Sequence, residues 1–474
     1  MEKTRLCFFD DYWIDFRTGT VRRWFEPERI GDYFDPLLGC ASGANAFYDK
    51  EIGAYRVVYH ASLDGTDENT VLAMQITKDF KTFTPADIRP DAPEGRRHVI
   101  ADGKDGVRLE CAVLDRAEKD EAKRYKATGL YFPEGIKDYA KICMVGAYSP
   151  DLLHWTVNTD TPIHPTTSDA DNNILYNPVT DEYMLFFRAG YVDRRICCKR
   201  SKDLVHWTEA EVTVHPGAAY NSEAEEIQLY GMVVTYIDGI FYALMEVYHT
   251  SLTDMDFTKM FGYVEPELYY SYDGYHYMPT SGRPLVQRPA APAFGWTQTY
   301  LMHINESADG RYYIISGSGA KVVHGTQESN IELTKQLGSP AFGSVFYRIR
   351  KDGFCGIDGI GMESKVITKC FQLLDPEITL NVNAAAGSVR CGLMRKNGTF
   401  YEGFSFEDSD ALRFGDELAF PLTWHGKDAS PLVGEQIRVA IELNGATLHA
   451  MDITARPWIR RPQASFADPK QLLD

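Results

Sequence analysis

One eight-residue phrase recurs along this chain and constrains its fold more than any other feature. It reads Ser149-Pro-Asp-Leu-Leu-His-Trp-Thr156 and again Ser201-Lys-Asp-Leu-Val-His-Trp-Thr208. A looser copy, Thr77-Lys-Asp-Phe-Lys-Thr-Phe-Thr84, comes before them, and Ser271-Tyr-Asp-Gly-Tyr-His-Tyr277 comes after. Each follows a short apolar run, so the form is a strand, a tight Ser-x-Asp turn and a strand opening on an aromatic. The short Ser and Asp side chains bond back to the turn backbone.

A second repeat interleaves with the first. A strand, a turn with Asp, Asn or Gly, and a strand opening on Tyr occur five times, with the opening tyrosines at Tyr55, Tyr125, Tyr183, Tyr242 and Tyr312. Four-stranded units repeated radially are propeller blades. Two repeats in one fixed order therefore predict an all-β chain with a five-bladed β-propeller over 1–350. The blades fall at about 41–88, 100–156, 168–208, 222–278 and 295–350. From Asp352 the repeat stops, but short alternating runs such as Glu377–Asn383 and Gln436–Glu442 continue. They predict a C-terminal β-sandwich over 351–456, followed by an extended tail over 457–474. No segment shows helical periodicity.

A length of 474 residues calls for more than one core. The 67 acids against 49 bases, net −18, argue against nucleic acid or an anionic membrane surface as partner. Nine cysteines, without metal-type spacing, and an opening with no long apolar run fit a reducing, cytoplasmic setting. A homo-oligomer is compatible with all of this. No cofactor is called for, and His249 and His324 lack partners at metal spacing.

The aspartates shared between blades belong to turn chemistry. Four acidic groups remain at the starts of inner strands or near the N-terminus: Asp11, Glu110, Asp169 with Asp171, and Glu226. Each precedes or interrupts an apolar run, where an unpaired carboxylate is costly to bury. Glycosidic cleavage needs one carboxyl to deliver a proton and another to act as nucleophile or base, and crowded carboxyls raise one pKa to make the acid. Glu226 is the expected acid. Asp171 or Asp11 is the expected base, nucleophile or pKa-setting partner, and Glu110 is a further candidate. Arg188, Gln228, Tyr230, Asn172, Trp296, Gln298 and Asp169 are the expected sugar-contacting residues, since a sugar offers apolar ring faces and many hydroxyls.

Five blades with acids on inner strands, then a sandwich, resemble the glycoside hydrolase superfamily that includes families 32, 43, 68, 117 and 130. The phrases Asp171-Asn-Asn-Ile-Leu-Tyr-Asn-Pro178, Ser201–Thr208 and Arg350-Lys-Asp-Gly-Phe354, with Phe9-Asp-Asp-Tyr12, look like those of family-32-like propeller proteins. Glu110-Cys111 matches the acid motif of family 32 only as a dipeptide, one blade early, and its other two motifs are not intact here. The resemblance implies a glycosidase acting on a small or imported glycoside. Two alternatives stay open: a phosphorylase on the same fold, with phosphate held by Arg22, Arg23, Arg194 and Arg195, and a carbohydrate-binding protein without catalysis.

Overall fold

The computed structural model describes residues 3–38, 42–62, 70–101, 106–133, 142–166, 168, 171–189, 194–216, 225–251, 262–324, 330–361 and 363–457. Two compact units emerge, Glu26–Lys351 and Met1–Phe25 with Asp352–Asp474.

Glu26–Lys351 is a five-bladed propeller. Blade one is Ser42–Asp49, Ala54–Ser62, Thr70–Thr77 and Phe83–Pro85, and blade two is Val107–Leu114, Tyr125–Tyr131, Cys143–Ser149 and Thr156–Val157. Blade three is Asn173–Asn177, Glu182–Arg188, Ile196–Ser201 and Glu211–Val214. Blade four is Glu225–Ile237, Ile240–Ser251, Gly262–Ser271 and Met278–Pro279. Blade five is Gln298–Glu306, Tyr312–Ala320 and Phe342–Arg350, and its outer strand is Glu28–Tyr33, which precedes blade one in sequence. The first strand of each blade lies innermost, and each inner strand neighbours the next until blade five returns to blade one. Inserted in blade five is the one helix longer than a turn among the described residues, Asn330–Leu337, too short to leave a periodic signal in the sequence.

The recurring phrase folds as its chemistry requires. In the second copy, Ser149 Oγ accepts from the Asp151 and Leu152 N–H groups, while Asp151 Oδ1 accepts from those of Leu153 and His154 at 2.9 and 2.8 Å. These bonds hold Leu152 at φ 71°; Phe80, Leu204 and Gly274 occupy the same place at 59°, 68° and 80°. Only one copy uses glycine, so the other three offset a left-handed residue with side-chain bonds. Burial works against ionisation of Asp151, but the His154 N–H and ring then draw its pKa down to about 2.

Asparagines join the inner strands across blade boundaries. Asn45 Nδ2 donates to Ala112 O in blade two at 2.8 Å, and Asn45 Oδ1 accepts from Asn305 Nδ2 in blade five at 2.8 Å. Asn173 bonds both the N–H and the C=O of Val234 in blade four. Replacing Asn45 with alanine leaves a buried carbonyl and a buried amide without partners. It is expected to cost about 2–4 kcal/mol in chemical denaturation.

In the second unit, Thr4–Cys7 pairs with Thr447–Pro457, Ile14–Thr18 with Ser364–Thr368, and Thr20–Trp24 with Cys355–Gly359. The expectation that the propeller begins at residue 1 is corrected by these ladders, which commit the first three strands to the C-terminal unit. Its eleven strands form one continuous sheet around a core that includes Leu6, Phe8, Phe371 and Trp424. A β-sandwich was expected over this region, and Phe371–Asn383, which pairs with Gln436–Asn444 at its start and with Thr447–Pro457 along its length, joins its strands into one sheet. The tail beyond 457 lies outside the described residues.

Candidate active site

The inner strands of the propeller carry polar residues near their starts, and four of the five are interrupted there, that of blade one between Ser42 and Asn45. The other register shifts fall between Glu110 and Val113, between Leu229 and Gly231, and between Leu301 and His303. Such bulges re-aim side chains.

At the centre is a carboxyl pair of which sequence reading found only one half. Asp171 stands half-buried just before the inner strand of blade three. Glu246 lies on the second strand of blade four, opposite Gly231, and is fully buried. A Cβ on Gly231 would stand 2.6 Å from Glu246 Oε2 and 3.4 Å from the Asp171 backbone nitrogen. The missing side chain therefore opens a notch beside which Glu246 meets Asp171. Among the described residues no N–H or O–H donor bonds either oxygen of Glu246, yet the Asp171 carboxyl is within hydrogen-bonding reach. Two carboxyls can bond only if one carries a proton. Burial first, and then the charge of Asp171, push the pKa of Glu246 well above the ordinary glutamate value, and Arg188 opposes this. Glu246 is thus the protonated member, and the more accessible Asp171 is the anion that accepts from it.

This has a consequence for pH. An acid with a raised folded pKa binds more protons in the folded chain than in the unfolded one. Its contribution to stability is present at low pH and is lost as pH rises above the unfolded value. Glu246→Gln keeps the shape without the titration. Its stability advantage over wild type is expected to grow as pH rises from the ordinary glutamate range. Thermal unfolding of both proteins over a pH series checks it, and parallel curves would remove Glu246 as the proton holder.

Around the pair stand aromatic and cationic groups. Tyr230 has ring centroids of Tyr300 at 5.5 Å, His324 at 5.3 Å and Tyr248 at 6.1 Å. The Arg188 guanidinium lies 5.2 Å from the Tyr230 centroid and donates to the Tyr230 carbonyl at 3.2 Å. Burial, then Tyr230, Glu246 and Asp171, raise the Tyr300 pKa well above its ordinary value. Cys111 is pushed up by burial and then by Asp171, Glu246 and Glu110, which ties Glu110 to the same neighbourhood. Glu110 itself is ion-paired with Arg108 at 2.9 Å. Below it His60 Nε2 accepts from the Cys111 N–H at 3.4 Å. Burial, reinforced by Arg108, lowers His60 to about 4, and burial, reinforced by His60, lowers His303 to about 3. Both histidines are neutral at pH 7.

The structure thus brings Asp171, Glu110, Arg188 and Tyr230 into one region. Glu226 pairs through its backbone with Thr250 at the start of the inner strand of blade four, but its side chain and all of Asp169 lie outside the described residues. Gln228 is buried two residues before Tyr230. Asn172 is buried and committed to Ser168, whose hydroxyl it accepts from at 2.8 Å. Gln298 donates to Val322 O at 2.7 Å and accepts from the Tyr300 hydroxyl, so it braces the site. Trp296 is half-buried in the turn leading to the inner strand of blade five.

Asp11 is placed elsewhere. It belongs to the unit of Met1–Phe25, where Arg17 lies 3.2 Å away and Arg22 also pairs with it. Burial alone would raise its pKa, but the bonds and charges of Arg22 and Arg17 lower it. Arg23 is bound to Asp358 in that same unit at 2.5 Å. No group of three or more His, Cys, Asp or Glu positioned for a metal occurs among the described residues.

No family model matches the chain, and no curated protein is similar to it. Among solved structures it is similar to a fructofuranosidase from Schwanniomyces occidentalis in complex with fructosylnystose. That match has 10% identity and a TM-score of 0.42, covering 90% of this chain and 97% of the other. A structure described as a study of the GH130 family of mannoside phosphorylases and hydrolases of β-1,2 mannosidic linkages is 13% identical, with a TM-score of 0.42, covering 73% and 96%. A glycosyl hydrolase from Bacteroides ovatus is 12% identical, with a TM-score of 0.44, covering 73% and 96%. Each is a protein to which this chain is similar, and none lends its residues' roles to it.

Proposed function

We propose that this chain is a glycoside hydrolase that cleaves a small or imported glycoside with carboxyl groups at the propeller centre. The observation that carries the reading is the Asp171–Glu246 pair, Glu246 fully buried with its pKa pushed up by burial and then by Asp171, and Asp171 half-buried, beside Arg188 and the ring of Tyr230. An anionic carboxylate beside aromatic and guanidinium groups meets the needs of a sugar, whose ring faces stack and whose hydroxyls accept and donate.

Carboxyls in direct contact are too close to be the two opposed groups of a glycosidase, which stand about 5–5.5 Å apart when retaining and about 6.5–9.5 Å apart when inverting. Asp171 and Glu246 therefore act as one group. Glu246 holds its proton and donates to Asp171. This fixes the orientation of Asp171 and leaves its charge for attack on the anomeric carbon or on water. The proton for the leaving oxygen must come from another strand, and Glu226, on the next inner strand, is the residue assigned to it. Glu110, tied to Arg108, is assigned to stabilise positive charge developing on the sugar.

The test is release of reducing sugar from aryl glycosides and short oligosaccharides, with and without phosphate, on wild type beside Asp171→Asn and Glu226→Gln. Phosphate-independent turnover lost in both variants is the expected result. Turnover only with phosphate would make the protein a phosphorylase. Saturable sugar binding without any turnover would make it a binding protein.

A further inference from the structure

We propose that the site carries a subsite for a carboxylate on the substrate itself, so that the preferred sugar is a uronic acid, held by Arg194 together with Arg188 on the rings of Tyr230 and Tyr248. The proposal rests on the reading of this region as a sugar site and names the class of sugar.

Arg194 follows the second strand of blade three and has φ 51°, a conformation that a non-glycine residue holds only when its surroundings demand it. Its guanidinium lies 5.5 Å from the centroid of Tyr230 and 5.2 Å from that of Tyr248. Arg188 stands over the same Tyr230 ring at 5.2 Å, so two guanidinium groups converge on one aromatic. Arg188 has a carbonyl partner in Tyr230 and lies in the field of Glu246. Arg194 is different: its Nη1 is buried and has no hydrogen-bond partner among the described residues. A buried guanidinium N–H without an acceptor is costly, and an arriving oxyanion removes that cost. The planar fork of arginine suits the two oxygens of a carboxylate.

The same chemistry could serve inorganic phosphate in a phosphorolysis. Phosphate would have to reach the anomeric carbon, at the Asp171 anion, where a dianion is repelled. A carboxylate on the sugar ring instead sits away from the anomeric carbon, which lets Arg194 hold it while Asp171 faces the scissile bond. The substrate's own carboxylate is therefore the favoured source.

Two measurements test this separately from the glycosidase reading. The first is binding of free glucuronate and galacturonate, each against glucose and galactose, by calorimetry on wild type, Arg194→Gln, Arg194→Lys and Asp171→Asn. The uronates should bind about 10- to 100-fold more tightly than their neutral counterparts. That preference should vanish in Arg194→Gln, fall in Arg194→Lys and survive in Asp171→Asn. The second is the ratio of kcat/KM for aryl uronides to that for the matching neutral glycosides, with and without phosphate, which should fall at least about tenfold in Arg194→Gln. Uronate preference without any turnover would uphold the subsite and sink the glycosidase reading. Equal binding of uronates and neutral sugars, or phosphate binding that depends on Arg194 in place of uronate binding, would overturn the proposal.

Discussion

Asp171→Asn is expected to abolish glycoside turnover, by about 10²–10⁴-fold or more, while leaving the propeller folded and no less stable at pH 7. The two halves of that expectation have one cause. Glu246 is buried without any N–H or O–H donor among the described residues, and the neighbouring Asp171 charge is among the forces that keep it protonated. Converting Asp171 to an amide removes the like charge and supplies an N–H that a Glu246 oxygen can accept. The fold loses a repulsion, and the reaction loses its anion. A residue that only braced the strand would show the reverse, with stability falling and kcat little changed. Activity within about threefold of wild type would sink the assignment, since even a modest general base contributes more than that. Circular dichroism and thermal unfolding beside the kinetics separate the two cases.

Lys126→Met should destabilise the propeller by about 3–5 kcal/mol. The Lys126 ammonium is fully buried between blades two and three, 2.7 Å from Asp115 Oδ2 and 3.1 Å from Glu118 Oε2, with the Lys123 carbonyl also at 3.1 Å. Asp115 Oδ2 in turn accepts from the Tyr176 N–H of blade three at 2.6 Å. The two acids respond in opposite directions. Burial outweighs Lys126 at Asp115 and raises its pKa, whereas at Glu118 the Asp120 N–H and Lys126 outweigh burial and lower it. Methionine matches the volume of lysine but leaves both carboxyls without their cation. Urea denaturation should show the loss, and Lys126→Met with Asp115→Asn should recover part of it. A loss under about 1 kcal/mol would mean that water or another cation compensates.

Asp115 also shows where sequence reasoning stops. It occupies the same turn position as Asp49, Asp238 and Asp309, and its bond to the Ala117 N–H is the local chemistry that equivalence implies. Asp49 is joined there by Arg56 of the same hairpin at 2.6 Å, whereas Asp238 is joined by the distant Lys351 at 2.9 Å. Glu246 was legible in principle. It is a lone acid inside the apolar run Ile240–Tyr248, the same signal that singled out Glu110. Reading only the inner strands misses it, because nothing local says that Gly231 gives a second-strand acid a way to Asp171.

The sequence by itself determined the blade count, the turns and the polar starts of the inner strands. Those features are set by side chains bonding to backbone two or three residues away and by alternation along a strand, and both are written in short windows. The tertiary structure decided the rest. It moved the first 25 residues to the C-terminal unit and let Glu28–Tyr33 complete blade five. It assigned Asp11 to arginines of its own unit and set Glu246 against Asp171. Except for Asp11, whose arginines lie 6 and 11 residues away, these outcomes depend on ladders or desolvation between residues far apart in sequence. The free energy of such contacts depends on which groups exclude water together, and only the closed ring of blades establishes that.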